Sequence, residues 1–165
     1  MNRIATYNFL LVAVSLAIVS CHDTSSKSKK PAINSTKTEV QVLSVLTLSE
    51  EKKEFQLTFG AINDTTLKLQ MGIGYYEAQE LAVTIEKIKP KAPLPLDLLH
   101  DALTKFGYSV KEVQIDKLVD SVYKAKIVCQ KEGETVILAA RPVDATVIAL
   151  KFNSPIFVKT DFLTR

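Results

Sequence analysis

The chain has no tryptophan, two cysteines, two histidines and five glycines among its 165 residues. Each scarcity closes off a class of chemistry. Two cysteines cannot build a disulfide framework or a cysteine-rich metal site. With only His22, in a polar N-terminal stretch, and His100, on an expected helix, neither a histidine-based triad nor a histidine zinc site can be assembled. Glycine is too sparse for a phosphate-binding loop, since Gly72-x-Gly74 lacks the rest of that pattern, and no G-x-S-x-G elbow occurs. A surplus of one charge is also missing from most of the chain. The formal +3 comes from Arg3 and the lysines before Val40; from Val40 onward 16 basic residues meet 16 acidic ones. Phosphate neutralisation supplies most of the affinity of ordinary nucleic-acid binders. A neutral domain therefore points to weak or local contacts.

No apolar run reaches the length of a comfortable membrane span, about 20 residues. The longest, Phe9 to Val19, follows Arg3 and ends at Ile18-Val19-Ser20-Cys21. Residues 1–21 read as an export signal whose end resembles the lipobox of bacterial lipoproteins, in which the cysteine is lipidated and becomes the mature N-terminus. That predicts a membrane anchor through a lipid on Cys21 and a place in the cell envelope, outside the cytoplasm. An ordinary signal peptide or an uncleaved anchor is the alternative. Residues 22–39, rich in serine and lysine, have almost nothing to bury and read as a flexible tether.

Residues 40–165 are enough for one domain with one core. Val40 to Leu48, Phe55 to Phe59 and Leu67 to Met71 show strand alternation, with Val40, Val42, Leu46 and Leu48 expected on one face. A helix follows Gly74, with Ala78, Leu81, Ala82 and Ile85 inward, and stops before Pro90. A second starts near Pro95, with Leu98, Leu99, Ala102, Leu103 and Phe106 inward and Gly107 at its end. Val110 to Asp116, Val122 to Gln130 and Thr135 to Ala140 are further strands, the last apolar on both faces and so expected at the centre of a sheet. Cys129 alternates with Tyr123, Ala125 and Ile127, which makes it a buried structural thiol. Pro142 to Phe152 forms a third helix, and Pro155 to Val158 a short closing strand. Hairpins dominate over strand–helix alternation. The expected fold is α+β, a single domain with a largely antiparallel or mixed sheet and about three helices.

The remaining chemistry lies at helix starts. Glu77, Asp97 and Asp144 each fall in a first turn, where an acid satisfies orphan N–H groups and the helix dipole. Brought together, the same carboxylates would hold a hard divalent cation such as magnesium and activate water. Arg141 would neutralise a phosphate, or form a structural ion pair with one of these acids. Tyr75 and Tyr76 offer stacking surfaces, though one of two adjacent tyrosines is expected in the core.

Taken in order, these segments resemble a known family. Ile73, Gly74, Glu77 and Ala78 match I-G-x-x-E-A; Pro93, Leu94, Asp97, Leu98 and Leu99 match P-L-x-x-D-L-L; Arg141, Pro142, Asp144 and Ala145 match A-R-P-x-D-A. With Ala149-Leu150 and Pro155-Ile156-Phe157-Val158, the run is similar to the bifunctional nuclease family over roughly Val40 to Val158. The resemblance implies an α+β fold and hydrolysis of DNA and RNA phosphodiesters. Glu77, Asp97, Arg141 and Asp144 are then the catalytic candidates by motif position. The chain departs from the family where Ala92 replaces an arginine, Leu96 a histidine and Val143 a serine. Losing a cation and an acid/base group leaves a second expectation open, a non-catalytic envelope binding module that retains the fold.

Overall fold

The computed structural model describes residues 37–165. The proposed leader, Cys21 and most of the tether lie outside the described residues. Lys37 to Glu39, which composition assigns to the tether, are already strand. β1 (Lys37–Ser49), β2 (Glu54–Ala61) and β3 (Lys68–Ile73) form a meander, followed by helices α1 (Tyr75–Ile85) and α2 (Pro95–Lys105). A second meander, β4 (Ser109–Val119), β5 (Val122–Lys131) and β6 (Glu134–Ala140), leads into α3 (Pro142–Phe152), and β7 (Ile156–Lys159) closes the sheet. The order β3-β2-β1-β7-β4-β5-β6 is antiparallel throughout, except where β7 runs parallel to β4. The α+β expectation holds, with three helices on a seven-stranded mixed sheet. Among the described residues no helix is long and apolar enough to cross a membrane.

α3 is the axis of the core. Val143, Ala145, Val147, Ile148 and Ala149 are buried, and the hydroxyl of buried Thr146 donates back to the Pro142 carbonyl at 2.7 Å. The helix packs against α1, α2, β4 and β5 at once, which explains why it is apolar nearly all round. Leu57 and Phe59 of β2, Val113 and Ile115 of β4, Ile127 and Cys129 of β5 and Val158 of β7 complete the core. Cys129 is 1% exposed, and burial pushes its thiol pKa up, as suits a structural cysteine. At the β5–β6 hairpin, Glu132 and Gly133 both take positive φ, the conformation of a two-residue turn that matches strand twist.

Four expectations are corrected. The β1 ladder shifts register between Val42 and Ser44, a bulge at Leu43 that reverses the alternation. Val45 then packs on the core, while Leu46 and Leu48 are exposed. β6 is an edge strand rather than a central one; Val136, Leu138 and Ala140 face the core, and Ile137 is 60% exposed. Ile85, Leu98 and Phe106 also face solvent, because α1 and α2 press on α3 along narrower stripes than their apolar residues span. Neither tyrosine of the Tyr75-Tyr76 pair enters the core.

Candidate functional site

Each helix carries an acid at its third position, and the three acids are used differently. In α1 the Glu77 carboxylate accepts the Gly74 backbone N–H at 2.9 Å, and in α2 Asp97 accepts that of Leu94 at 2.7 Å. Both acids thereby satisfy the amide that precedes the helix. In α3 the corresponding acid turns to a side chain instead. Arg141 donates to Asp144 through Nε at 2.7 Å and Nη2 at 2.8 Å, a two-pronged grip on one carboxylate. Its Nη1 lies 3.1 Å from the free edge of Glu77. The Asp144 grip, with Glu77 and Glu80 beyond it, raises the arginine's pKa further. Arg141 is therefore a fixed cation held between α1 and α3. Its side chain is 66% exposed, so donors on Nη1 and Nη2 remain open to an incoming anion.

The triad lines a cleft of about 800 Å³. One wall is Gln70 to Ile73 of β3, the other Ser121 to Lys124 at the β4–β5 turn with Ala139 and Ala140 of β6. These walls come from the two opposite edges of the sheet, which curls until its edges face each other. α1 leaves one edge and α3 the other, so the Glu77–Arg141–Asp144 pairing ties the two together above the cleft. Exposed Lys124 adds a second cation to the lining.

Asp97 is placed elsewhere. Its carboxylate meets Lys151 Nζ at 2.5 Å, two helical turns along α3 from Asp144, about 10 Å at 1.5 Å rise per residue. It borders a separate groove with Lys87, Leu150 and Asn153. The Lys151 and Leu94 hydrogen bonds hold the Asp97 pKa below its ordinary value. Three of the four residues singled out in the sequence thus converge, and Asp97 instead fastens α2 to α3.

Glu80 escaped the sequence reading because its position on α1 looks like an outward polar one. It lies between the two ion-paired groups, with a buried Oε1 that accepts no hydrogen bond. Burial raises its pKa, with Asp144 and Asp97 adding to the rise, while the Leu96 amide and Lys151 oppose it. No spacing rule could have found it, since the three-helix packing alone creates its surroundings.

The carboxylates fit a divalent cation poorly as they stand. Both oxygens of Asp144 bind Arg141, those of Glu77 face Gly74 and Arg141, and those of Asp97 face Leu94 and Lys151. Among the described residues no group of three or more His, Cys, Asp or Glu side chains is arranged to hold a metal ion. Of the positions that depart from the family motif, Leu96 packs partly buried against the core and Val143 is buried.

Residues 61–165 match the model of the bifunctional nuclease domain. The uncharacterized proteins MT1877 and Rv1829, from two strains of Mycobacterium tuberculosis, are each 32% identical to the chain over 97 residues. The matched stretch covers 59% of this chain and only 57% of each relative. The matched segment contains the cleft, all three helices and the Glu77–Arg141–Asp144 triad, and the chain belongs to the bifunctional nuclease domain family.

Proposed function

We propose that the domain binds a nucleic-acid phosphodiester in the cleft and hydrolyses it, with Arg141 holding the phosphate. The observation that carries this reading is the exposed, two-carboxylate-braced guanidinium lining a cleft of about 800 Å³. A phosphate arriving on Arg141 takes the Nη1 and Nη2 donors that Asp144 and Glu77 leave open. The Asp144 carboxylate, still gripped by Arg141, is then beside the phosphate and takes a proton from the attacking water as the new P–O bond forms and the bond to the ester oxygen breaks, that oxygen leaving with a proton from solvent, while Glu77 keeps the arginine in place. Asp97 and Lys151 serve to seat α2 on α3. Family membership supports nuclease chemistry, and the motif resemblance implies both DNA and RNA as substrates. Full-length protein should release nucleotides from oligonucleotides, assayed with magnesium and with a chelator, and Asp144→Asn should abolish the release. Equal release by wild type and Asp144→Asn would remove this site from the reaction.

One observation favours a second reading, a binding module without turnover. Leu96 fills with an apolar, core-packed side chain a position where the family motif carries histidine, so α2 offers no acid/base group. Oligonucleotide binding that depends on Arg141, with no release under either metal condition, would establish that reading. The same proposal places the domain in the cell envelope, held by a lipid on Cys21. Its support is the apolar run ending at that cysteine. Labelled palmitate should enter the wild-type protein and not Cys21→Ser; label absent from the wild type would end it.

A further inference from the structure

We propose that the aromatic cluster at the start of α1 is a stacking platform for an unpaired base, which makes single-stranded nucleic acid the preferred ligand of the cleft. The inference rests on the phosphodiester reading above and adds what selects the strand. Phe55 and Tyr75 have ring centroids 6.1 Å apart, and Tyr76 meets Tyr75 edge to face at 5.4 Å. The Lys53 ammonium covers Tyr75 at 5.3 Å from its centroid. Three rings and a cation thus support one another, and the outermost ring, Tyr76, is 82% exposed. That ring buries almost nothing against the fold, so folding does not account for a large aromatic side chain there.

Its position accounts for it better. Tyr76 precedes Glu77 in the chain, and Glu77 lies 3.1 Å from the guanidinium of Arg141. A phosphate on Arg141 leaves its own or the adjoining base within a side chain's reach of the ring. An apolar groove of about 410 Å³, bordered by Leu48, Phe55 and Gly74, runs beside the platform and shares Gly72, Ile73 and Glu77 with the main cleft. Electrostatics make the same demand. The domain from Val40 onward is formally neutral, so phosphate attraction alone provides little hold. Stacking supplies affinity without net charge, and it needs an exposed base face, which a duplex keeps inside its own stack.

The test is fluorescence anisotropy on full-length protein with a labelled oligothymidylate and a labelled duplex of equal length. Wild type should favour the single strand. Tyr76→Ala should weaken single-strand binding about tenfold and leave duplex binding unchanged. Tyr76→Phe should keep the wild-type affinity. Because the chain lacks tryptophan, Tyr76→Trp places one fluorophore on the platform, and its emission should be quenched as the oligothymidylate binds. Single-strand affinity unchanged in Tyr76→Ala, or no quenching in Tyr76→Trp, overturns the platform. If Arg141→Ala abolishes binding in that case, the phosphodiester reading survives without it. Wild type that binds neither oligonucleotide overturns both.

Discussion

At the scale of single residues, Arg141 and Glu80 illustrate two different uses of charge. Arg141 is two-thirds exposed, and exposed ion pairs contribute at most about 1 kcal/mol to stability. Its geometry matters more than its energy, since only a planar fork can grip Asp144 through two N–H groups and still present donors outward. Arg141→Lys should therefore lose at least about tenfold in oligonucleotide affinity while unfolding within about 1 kcal/mol of wild type in denaturant titrations. Retained affinity in the lysine variant would show that any cation suffices. Glu80 has the opposite character, a carboxylate half withdrawn from water with one oxygen unsatisfied. Its folded pKa stands above the ordinary value of 4.5. The folded state then binds the extra proton more tightly, so the associated stability is present in full below about pH 4.5 and is lost as pH rises through the folded value. At neutral pH the ionised form is a net cost. Glu80→Gln should be more stable than wild type at neutral pH by on the order of 1 kcal/mol. The gain should shrink as the solution is acidified toward the unfolded pKa, as read from denaturation midpoints across the range. A glutamine variant less stable at neutral pH would mean that attraction to Lys151 outweighs burial.

At the scale of elements, the bulge in β1 decides which of its side chains face the core. It places Leu43 over Gly60 of β2, where an added Cβ would stand 2.5 Å from Leu43 Cδ1 and 2.9 Å from its Cγ. Gly60→Ala should cost about 1–2 kcal/mol through this overlap, and Leu43→Ala, being at a half-exposed side chain, should cost less. The double variant should recover most of the loss, a coupling of at least about 0.5 kcal/mol in thermal or chemical unfolding. Strictly additive losses would place the strain elsewhere. Alternation and turn residues were enough to locate all seven strands and three helices, because the period changes from strand to helix at Gly74 and Arg141 and polar or proline-bearing turns separate most of the others. The phase of β1 after Val42 was not legible, since a bulge leaves no mark in an apolar run. Nor was the edge position of β6, because exposure of Ile137 depends on which strand lies beyond it. The convergence of Glu77, Arg141 and Asp144 was legible only as three residues at helix starts. The separate fate of Asp97 follows from Lys151, a residue that the helix-start motifs do not include.

At the scale of the whole molecule, the sheet is two meanders joined by one late strand. β1–β2–β3 and β4–β5–β6 touch through β7, whose residues pair with Lys37 to Val40 on one side and Val113 to Ile115 on the other. Val158 is the hinge of that arrangement. It is fully buried and pairs with Thr38 of β1 and with Ile115 of β4. α3 adds a second bond between the halves, because it packs on α1 as well as on β4 and β5. The curled sheet also needs both halves for its cleft, since β3 supplies one wall and the β5–β6 side the other. A domain joined in this way should unfold as one unit, for losing β7 exposes both meanders and the cleft together. Val158→Ala should therefore destabilise by about 2 kcal/mol, in line with other large-to-small core changes. Hydrogen exchange at the amides of Phe59 in the first meander and Ile127 in the second should accelerate to the same extent. Faster exchange confined to one of them would show two independently stable halves. Ligand affinity would then be set by how the edges are docked rather than by the stability of the fold. Equal acceleration would instead tie the binding geometry of the Glu77–Arg141–Asp144 bridge directly to global stability, since the bridge spans the two halves that β7 joins.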